Sequence, residues 1–205
     1  LLKIVRFLSN VYAAVSLMSF RAVVFLDRDG TLNIEAGYIR ELPNLNLISG
    51  AGEAVRLMNE NGIACILTTN QTGAARGYYP EDHILALNKR LEDLLAAHGA
   101  HLDAVYYCPH LAPEDGGLVA PYNVACNCRK PEPGLVEAAL KEHPYLVGKP
   151  AFVVGDKATD VELARNCTSK GISTKGILVE TGYGMDVQAG KYQWKVEPDH
   201  QANSI

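Results

Sequence analysis

Val23-Val24-Phe25-Leu26-Asp27-Arg28-Asp29-Gly30-Thr31-Leu32 decides how this chain is read. A short apolar run stops at two carboxylates one residue apart, followed by a glycine and a threonine. Ala22 to Leu26 is apolar on both faces and rich in β-branched and aromatic residues, the pattern of a buried parallel strand. Asp27 and Asp29 then stand at its carboxyl end, where an open α/β sheet binds ligands. Gly30 lets the chain turn away sharply. Two aspartates at such a place suit a divided task. One carboxylate attacks phosphorus or a carbonyl as a nucleophile, and the other protonates the leaving oxygen and later deprotonates water. An Asp-Gly turn closing a strand is the alternative on these residues alone.

Working outward, the same arrangement recurs. Ala51 to Asn61 carries a helical apolar stripe and Asn61-Gly62 caps it. Ile63 to Thr68 reads as a second buried strand, and it ends in Thr68-Thr69-Asn70-Gln71-Thr72-Gly73. Arg76, just beyond, is a candidate phosphate or substrate contact. Pro80-Glu81 opens a helix in the favoured way and Gly99 ends it. Asp103 to Tyr107 is the third strand, and Pro133 to Glu142 a helix. Ala151 to Val154 is the fourth strand, ending in Gly155-Asp156-Lys157-Ala158-Thr159-Asp160. Val161 to Ser169 is helical and Gly176 to Glu180 a fifth strand. Strands alternating with helices predict an α/β fold with a doubly wound parallel sheet.

The 205 residues are 48% hydrophobic and 20% charged, ordinary for one soluble domain. A net charge of −4 leaves no basic surplus for a phosphate backbone, so nucleic acid is not the expected partner. No apolar run reaches the roughly 18 residues a membrane helix needs. The expectation is a cytoplasmic monomer acting on a small molecule. Residues 1–19 read as a leader outside the core, with a packed extra helix as the alternative. They carry Lys3 and Arg6 before an apolar patch, but no small-x-small cleavage site follows. Residues 20–190 form the expected domain, and 191–205 a polar, loosely held tail.

The five cysteines form a poor disulfide framework, because Cys126 and Cys128 are one residue apart. Cys108, His110, Cys126 and Cys128 lie within 21 residues and supply three thiolates and one imidazole, a closed structural zinc set. Zinc would fix the long polar loop Leu111 to Ala125 at both ends. Arg129-Lys130-Pro131 follows immediately.

Asp27-Arg28-Asp29-Gly30-Thr31 resembles the Asp-x-Asp-Gly-Thr signature of the haloacid dehalogenase superfamily of phosphohydrolases. The resemblance implies that Asp27 becomes an aspartyl-phosphate and that Asp29 is the general acid/base. It implies that Thr69 hydrogen-bonds the transferred phosphoryl group, with Asn70 beside it. Lys130 matches the lysine that neutralises nucleophile and phosphate. Asp156 matches a metal-ligating aspartate, with Asp27 and Asp29 completing a Mg²⁺ site and Asp160 and Lys157 supporting it. An oxygen-rich site beside a phosphate suits Mg²⁺. No large insert follows the first or second motif, so no bulky cap domain is expected. Cys-x-His with Cys-x-Cys-Arg-Lys-Pro is similar to a narrower branch of phosphatases acting on heptose bisphosphate and histidinol phosphate. Gly37-Tyr38-Ile39, Thr69 to Gly77 and Tyr106 to His110 resemble the heptose enzymes more closely. The resemblance implies removal of the 7-phosphate in nucleotide-heptose synthesis for lipopolysaccharide, with Arg129 and Arg76 as cations for a second phosphate. A histidinol-phosphate phosphatase is the alternative. A polynucleotide 3′-phosphatase or a non-enzymatic zinc module explains fewer of these residues.

Overall fold

The computed structural model describes residues 20–191 and 197–205. The chain runs β1 (Ala22–Leu26), α1 (Ala51–Glu60), β2 (Ile63–Asn70), α2 (Glu81–Ala96), β3 (Ala104–Cys108), α3 (Gly134–Glu142), β4 (Ala151–Gly155), α4 (Ala158–Ser169), β5 (Thr174–Val179), α5 (Gly184–Gln188) and β6 (His200–Ala202). Six parallel strands form one sheet in the order β3-β2-β1-β4-β5-β6. The expected leader, 1–19, lies outside the described residues.

Alternation along β1 divides the core into two layers. Val24 and Leu26 pack with α1 and α2 through Val55, Leu87, Leu91 and Leu95. Val23 and Phe25 pack with α3 and α4 through Val136, Ala139, Leu163 and Ala164. A strand buried on both faces needs no polar positions, which is why β1 reads as an unbroken apolar run. Cys65 and Cys167 belong to this core, and burial pushes both thiols up to about 12. They are packing residues, not reactive ones.

The chain winds outward from β1 to β3, then returns to lay β4 against β1 on the other side. The crevice at such a reversal, outside the strands' carboxyl ends, is the binding place of an open α/β sheet. The register pairs Leu26 with Val154, so the residues leaving β1 and β4 emerge side by side.

The C-terminal stretch departs from expectation. It is not a loose tail: His200 to Ala202 extends the sheet beyond β5. Asp199 locks it, accepting from Gly176 N at 2.8 Å and pairing with Arg165 at 3.3 Å. Ile205 packs on the core. A three-residue strand is too short to show periodicity, and that hid it. Among the described residues, no helix is long and apolar enough to cross a membrane.

Candidate active site

Asp27 leaves β1 and Asp156 leaves β4 at the crevice. Lys130 Nζ stands 2.9 Å from Asp27 Oδ1 and 2.6 Å from Asp160 Oδ1, all three side chains being almost fully buried. Lys157 Nζ lies 3.4 Å from Asp156 Oδ1, 4.0 Å from Asp27 Oδ2 and 3.1 Å from Glu35 Oε2. Burial pushes the Asp27 carboxyl up, but Lys130 and then Lys157 outweigh it and hold it below the ordinary carboxylate range. Burial pushes Lys130 down, but Asp160 and Asp27 outweigh it, so the ammonium is held more firmly than in water. Asp27 is therefore an ionised carboxylate with a cation against it, the state a nucleophile needs. Asp156 goes the other way. Burial lifts it to about 7 against the pull of Lys157, and the charges of Asp27 and Asp160 add to the rise.

Local backbone geometry positions these groups. Asp160 Oδ2 accepts from Lys157 N at 3.1 Å and caps α4, while its other oxygen holds Lys130. Gly30, at φ +82°, passes so close to Asp156 that a Cβ there would fall 2.1 Å from Asp156 Oδ2. Gly182 crowds the same carboxylate at 2.2 Å. Neither position accepts a side chain without moving Asp156.

Asn70 has a role that its polar cluster did not reveal. Its Oδ1 accepts from Lys130 N at 3.0 Å, and its Nδ2 donates to Lys130 O at 3.1 Å. The end of β2 thus clamps the backbone that delivers the lysine. Thr69 lines the cleft with Asp27, Asp29, Tyr38, Arg129 and Lys157.

The carboxylate of Asp29 does not join the acidic cluster. It accepts from Arg28 Nη2 at 2.9 Å, Gln71 Nε2 at 2.7 Å and Asn33 Nδ2 at 3.0 Å. Asp27, Asp156 and Asp160 are the carboxylates that converge. Sequence reasoning passed over Arg28, Gln71 and Asn33. The signal for Arg28 is not local: its partners Gln71 and Asn88 lie 43 and 60 residues on.

Arg76 is not brought to the cleft. Its Nη2 donates to Asp115 O at 3.3 Å and braces the loop after β3. Arg129 does line the cleft, and its buried Nη1 has no hydrogen-bond partner.

Cys108, His110, Cys126 and Cys128 converge at the base of that loop. Their sulfurs are 3.1 to 3.5 Å apart, and His110 Nδ1 is 3.3 Å from Cys128 Sγ. A tetrahedron with metal–sulfur bonds of about 2.3 Å has edges of about 3.8 Å, so the four ligands are gathered slightly tighter than a zinc would hold them and would open by a few tenths of an ångström to take one. The hydrogen bond shared by Cys108 and Cys128 lowers the Cys128 thiol against the effect of burial and raises Cys108, so the proton of the pair is held preferentially on Cys108. Glu81 ties the loop down by accepting from Tyr122 at 2.8 Å and Tyr107 at 2.9 Å.

The acidic cluster fits Mg²⁺. Asp156 Oδ1 is buried and faces only the Lys157 ammonium, at 3.4 Å and without hydrogen-bond geometry, and Asp27 and Asp160 offer oxygens within 4.8 Å of the Asp156 carboxylate. Both oxygens of Asp160 are engaged, one with Lys130 and one with the helix cap, whereas the close contacts of Asp27 fall on Oδ1 alone, so Asp27 and Asp156 are the carboxylates available to a metal. Mg²⁺ is commonly held by one or two carboxylates and waters.

A D-glycero-D-manno-heptose-1,7-bisphosphate 7-phosphatase from Thermosynechococcus vestitus is 48% identical over 90% of this chain and 92% of that protein. The chain belongs to this family of HAD-like phosphatases. A D-glycero-beta-D-manno-heptose-1,7-bisphosphate 7-phosphatase from Escherichia coli is 36% identical over 78% of the chain and 79% of its own length. A HAD-hydrolase-like family model matches residues 127–205. Among solved structures, D,D-heptose 1,7-bisphosphate phosphatase from B. bronchiseptica, complexed with magnesium and phosphate, superposes with a TM-score of 0.73. It is 26% identical and covers 89% of this chain and 93% of its own. The parallel sheet with helices packed on both faces agrees with the doubly wound fold expected from the motifs.

Proposed function

We propose that the protein is a Mg²⁺-dependent phosphoric monoester hydrolase that removes the 7-phosphate of D-glycero-D-manno-heptose 1,7-bisphosphate, in nucleotide-heptose synthesis. The observation that carries this reading is the ionised Asp27 held against Lys130 and within 4.8 Å of the buried Asp156 carboxylate, in a chain so close to heptose bisphosphate phosphatases. Asp27 attacks phosphorus; the P–O7 bond breaks as the Asp27–phosphorus bond forms, and the sugar oxygen takes a proton from Asp29. Water then attacks the aspartyl-phosphate and gives a proton back to Asp29, freeing Asp27 and inorganic phosphate. Lys130 and the Thr69 hydroxyl face the charge on the transferring group. When bound at Asp27 and Asp156, Mg²⁺ offsets negative charge shared by carboxylates and phosphate.

Arg129 is the cation for the second phosphate, since its guanidinium lines the cleft with a buried, unpartnered nitrogen. Zinc at Cys108, His110, Cys126 and Cys128 is structural, because four protein ligands leave no open position. Its role is mechanical: Cys128 is two residues before Lys130, so the staple helps aim the lysine. The enzyme acts as a cytoplasmic monomer on a small sugar phosphate, without nucleic acid or membrane.

The test is kcat/KM on heptose 1,7-bisphosphate, heptose 7-phosphate, histidinol phosphate and a 3′-phosphorylated oligonucleotide, for wild type and Arg129→Ala. The bisphosphate should lead, and Arg129→Ala should narrow its lead over the monophosphate. If histidinol phosphate outruns the bisphosphate, the heptose assignment is wrong while the phosphatase chemistry stands.

A further inference from the structure

Arg28 lies between the two aspartates yet does not line the cleft. Its side chain is 1% exposed. Nη1 donates to Asn88 Oδ1 at 3.1 Å, sixty residues away on α2. Nη2 donates to Gln71 Oε1 at 2.8 Å and to Asp29 Oδ2 at 2.9 Å, while Nε reaches Asp29 Oδ1 at 3.3 Å. The Gln71 amide then closes the circuit. Its Nε2 donates to Asp29 Oδ2 at 2.7 Å and to Thr69 Oγ1 at 3.0 Å.

Burying a cation is costly, and a well-packed apolar residue often stabilises a core as well as a buried ion pair does. A strand end that needed only packing has no use for this guanidinium. A guanidinium is a rigid planar fork, and its two-pronged grip fixes the plane of a carboxylate as well as its distance. Asn88 and Gln71 fix the fork in turn, from two separate elements of the fold.

We infer that Arg28 is the positioning residue of the acid/base: it sets the plane of the Asp29 carboxylate at the cleft and, through Gln71, sets Thr69 Oγ1 beside it. The inference rests on the acid/base reading of Asp29. Proton transfer needs donor and leaving oxygen within hydrogen-bond reach, so a carboxylate free to rotate loses much of its value without any change in substrate binding.

The experiment is a double-variant cycle read by single-turnover phosphoryl transfer with Mg²⁺ present. Arg28→Lys keeps the charge and removes the fork. On a sugar phosphate its rate should fall about tenfold or more, within the roughly 10²–10⁴-fold that acid–base catalysis supplies. KM should hold within about twofold, since uniform binding is untouched. On p-nitrophenyl phosphate, whose leaving oxygen needs no proton, the loss should be much smaller. In an Asp29→Asn background, Arg28→Lys should add little, because its effect runs through a group already disabled. Gln71→Met, which leaves Arg28 in place, should give the same pattern and serves if Arg28→Lys fails to fold. Equal losses on both substrates, or losses that multiply in the double variant, would overturn the inference alone. An Asp29→Asn enzyme with no leaving-group dependence would overturn the acid/base reading, and this inference with it.

Discussion

Lys130→Met is the most searching test of the site's electrostatics. The substitution keeps a long, unbranched stem of similar volume, so packing changes little. What it removes is one ammonium shared by Asp27 at 2.9 Å and Asp160 at 2.6 Å, with side chains 2%, 6% and 1% exposed. Removing one member of a buried pair costs about 3–5 kcal/mol, because the remaining charge is uncompensated. Lys130 serves two carboxylates, so the upper part of that range is expected, a large share of a typical stability of about 5–15 kcal/mol. The cost should depend on pH with a definite sign. In the wild type the folded-state pKa of Asp27 is depressed, so its stabilisation is present above the unfolded carboxyl value and lost as pH falls through the folded one. Lys130 is raised, and its contribution disappears only at pH well above the carboxylate range. In the variant Asp27, Asp156 and Asp160 repel one another and take up protons more readily when folded than when unfolded. The gap between wild type and variant should therefore be widest near neutral pH and narrow steadily toward about pH 5. The assay is urea unfolding of the metal-free proteins at several pH values, read from midpoints at constant slope. A gap that stays constant across that range would refute the charge argument and leave packing as the cause.

Asp27→Asn should stay folded, with a stability within about 1–2 kcal/mol of wild type, because Lys130 keeps Asp160 as a partner at 2.6 Å. It should lose nearly all turnover, and near wild-type single-turnover rates would remove Asp27 as nucleophile. Metal analysis should find about one zinc per chain from the four-ligand set, and Cys126→Ser should lose that zinc and slow phosphoryl transfer by misplacing Lys130. Full activity in zinc-free protein would refute the mechanical role of the staple. Because Asp156 titrates at about 7 without metal, protons should compete with Mg²⁺. The Mg²⁺ Kd measured by calorimetry should rise by up to about tenfold per pH unit below 7 and level off above it. A Kd unchanged between pH 6 and 8 would count against Asp156 as a ligand.

Periodic and terminal signals made most of this protein legible in one dimension. Unbroken apolar runs marked strands covered on both faces, and polar clusters at their ends marked where chemistry stands. Thiols and an imidazole at ligand spacing marked four residues that the fold brings together. Such signals are local, and β1, β2 and β4 carry them because burial on two sides leaves no room for ambiguity. What escaped depended on partners distant along the chain. Asn70 read as a substrate contact; it lines the cleft and in addition clamps the backbone of Lys130, 60 residues on. Arg76 looked like a cleft cation and braces Asp115 instead. The last strand was invisible because three residues show no period, and only the open edge of β5 and the lock at Asp199 make it a strand. Asp29 could be recognised from its motif, but not the direction of its carboxylate. That direction is set by Arg28, which Asn88 on α2 and Gln71 at the end of β2 hold in place. Composition and spacing establish which groups are present and in what order along the strands. Which way each group points is a property of packing, because a buried charge goes where the fold has placed its partner.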